Sequence, residues 1–452
     1  MADRRDSGGS GPDPAGAPDL AEAPSTVARR APFSENPTVG ARGLRTQQRI
    51  VDAALQVFGE SGYHQCSVGR ITEVAGCSRV SFYQYFSDKE DLFRVLAGQV
   101  ARQLRASTEA LGTVGSDAGG WAALRAWVGR HEEIYDRYEP VFRAFRDAAE
   151  SDELVAGGSA RTATRNLEQF QSRLDDTDLP PRRLEAVVTL LLESVTQCHV
   201  TAALLRSQAP EAYRAGRVQD ALADVLHRCL FGRIDGVNVH GPTGPRPPAI
   251  TTQGPMAEVV ADAAAERELS PAARRTRGQL MAAGRDVFLR RGYHRTRVDD
   301  ITAEAGVSHG AFYRYFSSKE DLAQRLAGDA MRAVSNEFEG ITALGTTAGS
   351  EARAAVSAWL RRYNEAQSSR IAVIRLWVDA SHDDLGHSTD SAAVLDAGRR
   401  QLAAFLAPRG FGDPEIDALV GVAFISSFGF RPRTPEQLEA ATHIVERGFL
   451  GN

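Results

Sequence analysis

FGESGYHQCSVGRITEVAGCSRVSFYQYFSDKEDLF, residues 58–93, has a second copy in the same chain: FLRRGYHRTRVDDITAEAGVSHGAFYRYFSSKEDLA, residues 288–323. The two stretches align without a gap at a constant spacing of 230 residues. Gly62, Tyr63, Ile71, Ala75, Gly76, Ser78, Phe82, Tyr83, Tyr85, Phe86 and Lys89 are matched by Gly292, Tyr293, Ile301, Ala305, Gly306, Ser308, Phe312, Tyr313, Tyr315, Phe316 and Lys319. A second match closes each copy, LHRCLFG at 226–232 against VERGFLG at 445–451. A repeat with related beginnings and related ends means two similar units in one chain. The length of 452 residues agrees, since it exceeds what a single core normally supports.

Each copy reads as helices. Ile50, Ala53, Ala54, Val57 and Phe58 recur at helical spacing across residues 46–60, and Gly62 closes that helix. Val68, Ile71, Thr72 and Ala75 form a short second helix stopped by Gly76. Ser78 caps a third helix carrying Arg79, Phe82, Tyr83 and Phe86. Ser87-x-x-Glu90 and Ser317-x-x-Glu320 have capping-box spacing for a fourth. Two short helices joined by a glycine turn constitute a helix-turn-helix, whose second helix enters the major groove of DNA.

The pattern ITxxAGxSxxxFYxYFxxKEDL, present twice, resembles the DNA-binding domain of TetR/AcrR-type regulators. The resemblance covers about 60 residues per unit. It implies an all-α fold of two tandem TetR-like units, each a helix-turn-helix domain followed by a helical ligand and dimerisation domain. The expected organisation is a disordered tail at 1–40, DNA-binding domains at 41–104 and 271–334, regulatory domains at 105–232 and 335–452, and a linker at 233–270. By the same resemblance Tyr83, Tyr313, Lys89 and Lys319 reach DNA phosphates, and Ser78 and Ser308 belong to the same surface. Base choice then falls to Arg79, Val80, Ser81 and Gln84 in the first unit. Their counterparts in the second are His309, Gly310, Ala311 and Arg314. Arginine prefers guanine, glutamine prefers adenine and alanine meets a thymine methyl, so these unlike sets predict unlike half-sites.

The charge distribution agrees with this reading only when taken by segment. The chain carries −5 overall, whereas residues 41–105 carry +3 and residues 271–333 carry +5, leaving −13 elsewhere. Two basic segments on an acidic body suit local DNA contact. The chain has only two lysines, and both fall at the same place in the repeat.

Other chemistries find little support. Gly306-Val307-Ser308-His309-Gly310 satisfies the hydrolase pattern G-x-S-x-G, but a nucleophile elbow needs a strand before it, and this segment reads as helical. His131-Glu132-Glu133 is followed by Tyr135 where a zinc helix needs histidine. Cys66, Cys77, Cys198 and Cys229 have no C-x-x-C spacing and read as small buried residues. Neither an enzymatic activity, a metal nor a cofactor is expected. No apolar run suggests a membrane span and the first residues lack a signal-peptide core, so a reduced, cytoplasmic, nucleoid-associated location is expected.

The C-terminal regions are rich in aromatics. Trp127, Phe142 and Phe145 in the first unit, and Trp359 and Trp377 in the second, are candidates for an effector pocket taking a small apolar molecule. In the family, the last two helices of each unit pair with a second subunit. Residues 184–205 are suitably apolar, while 416–430 are shorter and interrupted by Gly421, Ser426, Ser427 and Gly429. The 36 residues of 235–270, read as a flexible tether, span about 30–35 Å. That permits the two units to pair with each other as a pseudo-dimer, a homodimer of chains being the rival. The function expected is a sequence-specific transcriptional repressor of double-stranded operator DNA, released by its effector. A ligand-independent architectural DNA binder is the alternative.

Overall fold

A computed structural model describes residues 41–148, 163–237, 241–242, 244–251, 269–293, 295–343, 350–368, 385–410, 412–429 and 431–451. The first unit starts with α1 (Ala41–Gln65), longer than its apolar pattern indicates. Residues 41–49 are mostly polar and extend the helix by propensity without marking a buried face. Then come α2 (Val68–Val74), α3 (Arg79–Tyr85), α4 (Lys89–Glu109) and α5 (Ala118–Ala148). α5 bends at Tyr138 (φ −116°, ψ 19°), just before Pro140 removes a helical N–H. Residues 163–171 form α6, followed by α7 (Pro181–Gln208) and α8 (Ala215–Phe231).

The second unit repeats the plan with α9 (Pro271–Arg291), α10 (Val298–Ala305), α11 (His309–Phe312), α12 (Lys319–Ala343) and α13 (Ser350–Ser368). It ends with α14 (Leu385–Leu406), α15 (Pro414–Gly429) and α16 (Pro435–Val445), which runs into a wider turn at Glu446–Leu450. The fold is all-α. Among the described residues the only extended pairing is an isolated bridge between Val114 and Leu174.

Three hydrophobic clusters organise these helices. One joins α1–α4 around Phe58, Phe82, Phe86 and Phe93, and takes in Ile134, Tyr138 and Val141 from α5. Its smaller counterpart in the second unit gathers Phe288, Ile301, Phe312, Phe316 and Leu322. The third cluster is shared: Trp127, Leu191, Val195, Leu226 and Cys229 of the first unit belong to one core with Trp359, Leu419, Phe424, Ile444 and Phe449 of the second. Each large apolar side chain buried there contributes about 1.5–3 kcal/mol. The two helix-turn-helix domains therefore stand on one common body.

The seam of that body is made by α7 and α8 against α15 and α16. α7 includes an 18-residue window of mean hydropathy 1.4, more apolar than the sequence reading allowed. Val187, Val188, Leu191, Val195 and Leu205 are buried in the shared core, which accounts for that composition without a bilayer.

Charged groups cross the seam. Arg228 pairs with Asp417 at 3.2 Å with both side chains almost fully buried, and its Nε donates to the Gly448 carbonyl at 3.0 Å. Arg217 pairs with Asp413, also buried. Arg447, which matches Arg228 in the closing repeat, reaches back to Asp178 at 2.7 Å. Cys229 and Gly448, another matched pair, face each other: a Cβ on Gly448 would lie 2.6 Å from the Cys229 Sγ.

The linker departs from its expected form. Residues 244–251 lie on the body, where Pro245 accepts from Arg217 Nη1 at 2.7 Å and Ile250 is buried. The Ile250 N–H donates to Asp396 at 3.0 Å. Composition marked the stretch as flexible, but one buried isoleucine and two backbone hydrogen bonds fix it. Residues 252–268, the expected tail at 1–40, Trp377, and the side chain of Phe145 lie outside what is described.

Candidate nucleic-acid interface

The two helix-turn-helix motifs are built alike. Gly76 (φ 60°) and Gly306 (φ 65°) take the left-handed conformation after α2 and α10, which lets the chain reverse within two residues. Ser78 and Ser308 then cap the recognition helices, accepting from the N–H groups of Ser81 (3.0 Å) and Ala311 (3.3 Å). Their hydroxyls are thus first engaged in setting the helix. Phe82, Tyr85 and Phe86 are buried, as are Phe312 and Phe316, so α3 and α11 are fastened on one side only.

The other side faces solvent. Arg79, Val80, Tyr83 and Gln84 are exposed, and so are His309, Gly310, Tyr313 and Arg314; Ser81 and Ala311 are half-buried. Val80 is 71% exposed and Tyr313 52%. Solvent exposure of these side chains is what groove contact requires. α11 has a single helical turn where α3 has two, consistent with Gly310 standing where α3 has Val80.

The two lysines have an internal task. Lys89 Nζ donates to the carbonyls of Tyr63 (2.9 Å) and Cys66 (3.3 Å), and lies 4.4 Å from the Tyr63 ring centre. Lys319 does the same with Tyr293 (3.0 Å), Thr296 (3.2 Å) and the Tyr293 ring (4.3 Å). Each ammonium ties the end of the first helix to the start of the fourth, which leaves one of its three N–H groups for a phosphate. Lys89→Met is accordingly expected to lower the stability of the first DNA-binding domain by about 2 kcal/mol. Thermal unfolding in the absence of DNA checks this; an unchanged melting curve would return the lysine to a purely phosphate-binding role.

The start of the fourth helix corrects the expected capping boxes. Asp88, not Ser87, is the N-cap, accepting from Asp91 N at 2.7 Å, while Asp91 Oδ2 accepts from Ser87 N at 3.0 Å. In the second unit Ser318 and Asp321 take these parts instead of Ser317 and Glu320. The helix begins one residue later than expected, so every partner moves by one. The G-x-S-x-G segment, for its part, spans the turn after α10 and the first two residues of α11, with a helix and not a strand before it.

The repeats differ at the first recognition residue and its neighbour on the preceding helix. In the first unit the Arg79 guanidinium lies over Gly69 of α2, with Nη2 2.6 Å from where a Cβ would sit. In the second unit the matching pair is Asp299 and His309, whose Nδ1 is 2.6 Å from Asp299 Oδ1. The His309 ring also stands 5.2 Å from that of Tyr313. Sequence reading considered the recognition helices alone and passed over positions 69 and 299, although the two copies differ there too.

Within the body the expected pocket residues separate. Trp359 lines a small, partly open apolar cleft together with Val356, Leu402, Gly421, Phe424 and Phe449. Trp127 does not line it. Trp127 is buried against Phe170 (5.1 Å) and His131 (5.6 Å), and Phe142 packs on Tyr135 (5.4 Å) beside the first DNA-binding domain. His131 stacks on His199 at 5.1 Å, and His131 Nδ1 and both ring nitrogens of His199 are buried with no hydrogen-bond partner among the described residues. Burial pushes both imidazoles down to about 3. α5 joins this region to the first helix-turn-helix domain, because Arg143 donates to the Phe58 carbonyl (3.0 Å) and Gln103 to the Tyr138 hydroxyl (3.0 Å). The cysteine thiols are pushed up by burial, Cys66 to about 11 and Cys229 to about 12, which suits inert packing.

Comparison with known proteins matches residues 50–96 and again 280–326 to the family described as bacterial regulatory proteins, tetR family. The HTH-type transcriptional repressor AcnR of Corynebacterium glutamicum is 28% identical over 163 residues, covering 34% of this chain and 81% of that protein. The HTH-type transcriptional repressor Rv1474c of Mycobacterium tuberculosis is 29% identical over 157 residues, covering 33% of this chain and 79% of that protein. A solved tetR-family transcriptional regulator from Streptomyces coelicolor is 20% identical with a TM-score of 0.33, covering 42% of this chain and 82% of that one.

Proposed function

Because this chain belongs to the tetR family of bacterial regulatory proteins and carries the family's DNA-binding domain twice, we propose that it represses transcription as an intramolecular pseudo-dimer on one operator. α3 and α11 enter successive major grooves about 34–36 Å apart. Tyr83, Tyr313 and the remaining N–H groups of Lys89 and Lys319 meet phosphates, which set register. Arg79, Val80, Ser81 and Gln84 read one half-site; His309, Gly310, Ala311 and Arg314 read a different one.

The observation that carries the pairing is the seam itself. Its deepest ion pairs join an arginine of one unit to a carboxylate of the other, Arg217 to Asp413 and Arg228 to Asp417. A homodimer built from two copies of the α7–α8 face would set Arg228 against a face without Asp417. The packed residues 244–251 hold the two bodies together further.

Release by a small apolar effector would use the apolar cleft beside Trp359, which has to widen to admit such a molecule. Its lining residues Phe424 and Phe449 lie on elements that form the seam, so an occupant that favours one seam geometry shifts the spacing of the recognition helices. The setting is cytoplasmic, at the nucleoid.

Selection of binding sites from a random DNA pool with the intact chain tests the reading, together with its mass in solution by light scattering. Two unlike half-sites about one turn apart, bound by a single chain, are expected. A palindrome bound by two chains would replace the pseudo-dimer with a homodimer. Bending of DNA with no enriched sequence and no response to apolar ligands would favour the architectural alternative.

A further inference from the structure

The geometry points to Gly69 and Asp299, on the first helix of each motif, as the residues that set which base the first recognition residue reads. This rests on the operator reading above and adds a specificity determinant outside the recognition helices.

In the second unit Asp299 occupies the second position of α10, 79% exposed on the face beside the start of α11. A bare carboxylate there would oppose DNA phosphates. Its oxygen instead accepts from His309 Nδ1 at 2.6 Å. With Nδ1 engaged, Nε2 is the only ring nitrogen left to meet a base edge, and the ring is braced further by Tyr313 at 5.2 Å. Asp299 is thus a positioning residue: it fixes the direction from which His309 meets the groove.

The first unit solves the same position differently. Gly69 has no side chain, and the Arg79 guanidinium occupies the space a Cβ would take. Arg79 therefore approaches the groove from above α2. The only group a methyl at 69 would displace is the far end of a flexible side chain, so a substitution moves Arg79 without disturbing the backbone. Glycine goes with arginine and aspartate with histidine, and each neighbour suits its own reader.

The test is site selection and competition binding with the full chain carrying Asp299→Ala, Asp299→Asn, His309→Ala, Asp299→Ala/His309→Ala or Gly69→Ala, with thermal unfolding alongside. Asp299→Ala is expected to reduce discrimination about five-fold at one base pair of the second half-site, the worth of one hydrogen bond. His309→Ala should act at that same base pair, the double variant should be no worse than His309→Ala, and Asp299→Asn should restore the preference. Gly69→Ala should alter only the base pair under Arg79 in the first half-site. Melting temperature should change only slightly, with Gly69→Ala raising it a little by helix propensity, and variants lacking the Asp299 carboxylate should bind all sequences slightly more tightly at low salt.

An unchanged motif in Asp299→Ala, a uniform loss across all sequences, or a change at a base pair other than the one His309 controls would each overturn the assignment. If the unmodified chain enriches no motif, the operator reading itself fails, a result distinct from any of these.

Discussion

Replacing Arg228 with methionine is expected to lower the unfolding free energy of the common body by about 3–5 kcal/mol, the usual cost of stranding a buried charge. Arg228 and Asp417 are 1% and 2% exposed, so water cannot substitute for the lost partner. Burial already raises the Asp417 carboxyl to about 6, with the Arg228 charge working against the rise. Without Arg228 the carboxyl moves higher still. A carboxyl whose folded pKa lies above its unfolded value contributes stability that is present at low pH and lost as pH rises through the folded value. The variant's deficit should therefore widen between pH 5 and 8.

Denaturant unfolding followed by tryptophan fluorescence across that range measures the deficit directly. Arg228→Met combined with Asp417→Leu should recover most of the loss, since an apolar pair removes both desolvation costs. Arg447→Met is the informative contrast. It sits at the matching place in the repeat, but its partner Asp178 is 65% exposed, so about 1 kcal/mol or less is expected. Equal losses for the two arginines would mean that burial does not govern the seam.

The second large effect follows from the histidine stack. His131 and His199 have folded values near 3 against 6.5 when unfolded, and both shifts come first from burial. Between those limits the unfolded chain binds protons that the folded chain does not, so their contribution is complete above pH 6.5 and lost as pH falls. Each imidazole removes about 1.4 kcal/mol per pH unit in that window, so acidification to pH 5 should cost about 2 kcal/mol per histidine. The raised Asp417 carboxyl acts in the opposite direction between about 4 and 6 and offsets roughly one of these two imidazoles there. With Asp417 offsetting one imidazole below pH 6, His199→Phe should remove well over half of the net slope between pH 6.5 and 5, as read from denaturant midpoints at fixed ionic strength. An unaltered slope would mean that the imidazoles ionise in the folded state without penalty.

The helix-turn-helix geometry was legible in the sequence because it is local. Gly76, Ser78 and the Phe82, Tyr85 and Phe86 spacing specify a turn, a cap and a buried face within a dozen residues, and a second copy of the same spacing removed ambiguity. Lys89 was legible as special but not in its task. Its two carbonyl partners lie 26 and 23 residues earlier, at a helix end that the apolar pattern placed too early. The capping boxes failed by one residue because several Ser, Asp and Glu side chains in SDKED compete for the same role.

The body was less legible. Asp413 and Asp417 gave no signal that they face Arg217 and Arg228, since buried ion pairs between distant segments leave no periodicity. Residues 244–251 look like linker by composition, and only tertiary contact makes Ile250 part of the core. The closing repeat did contain the necessary hint: where the first copy has His-Arg-Cys, the second has Glu-Arg-Gly.

That substitution has a consequence for how such a regulator can change over time. Between identical subunits the residues beside the two-fold axis meet their own copies, so an enlargement there is doubled in the same space. Here Cys229 meets Gly448, and the sulfur occupies room that only a missing side chain provides. Once two subunits are translated as one polypeptide, the contact needs to fit only its opposite number. The halves are made in equal amounts, and each side of the seam is free to change against its own opposite number.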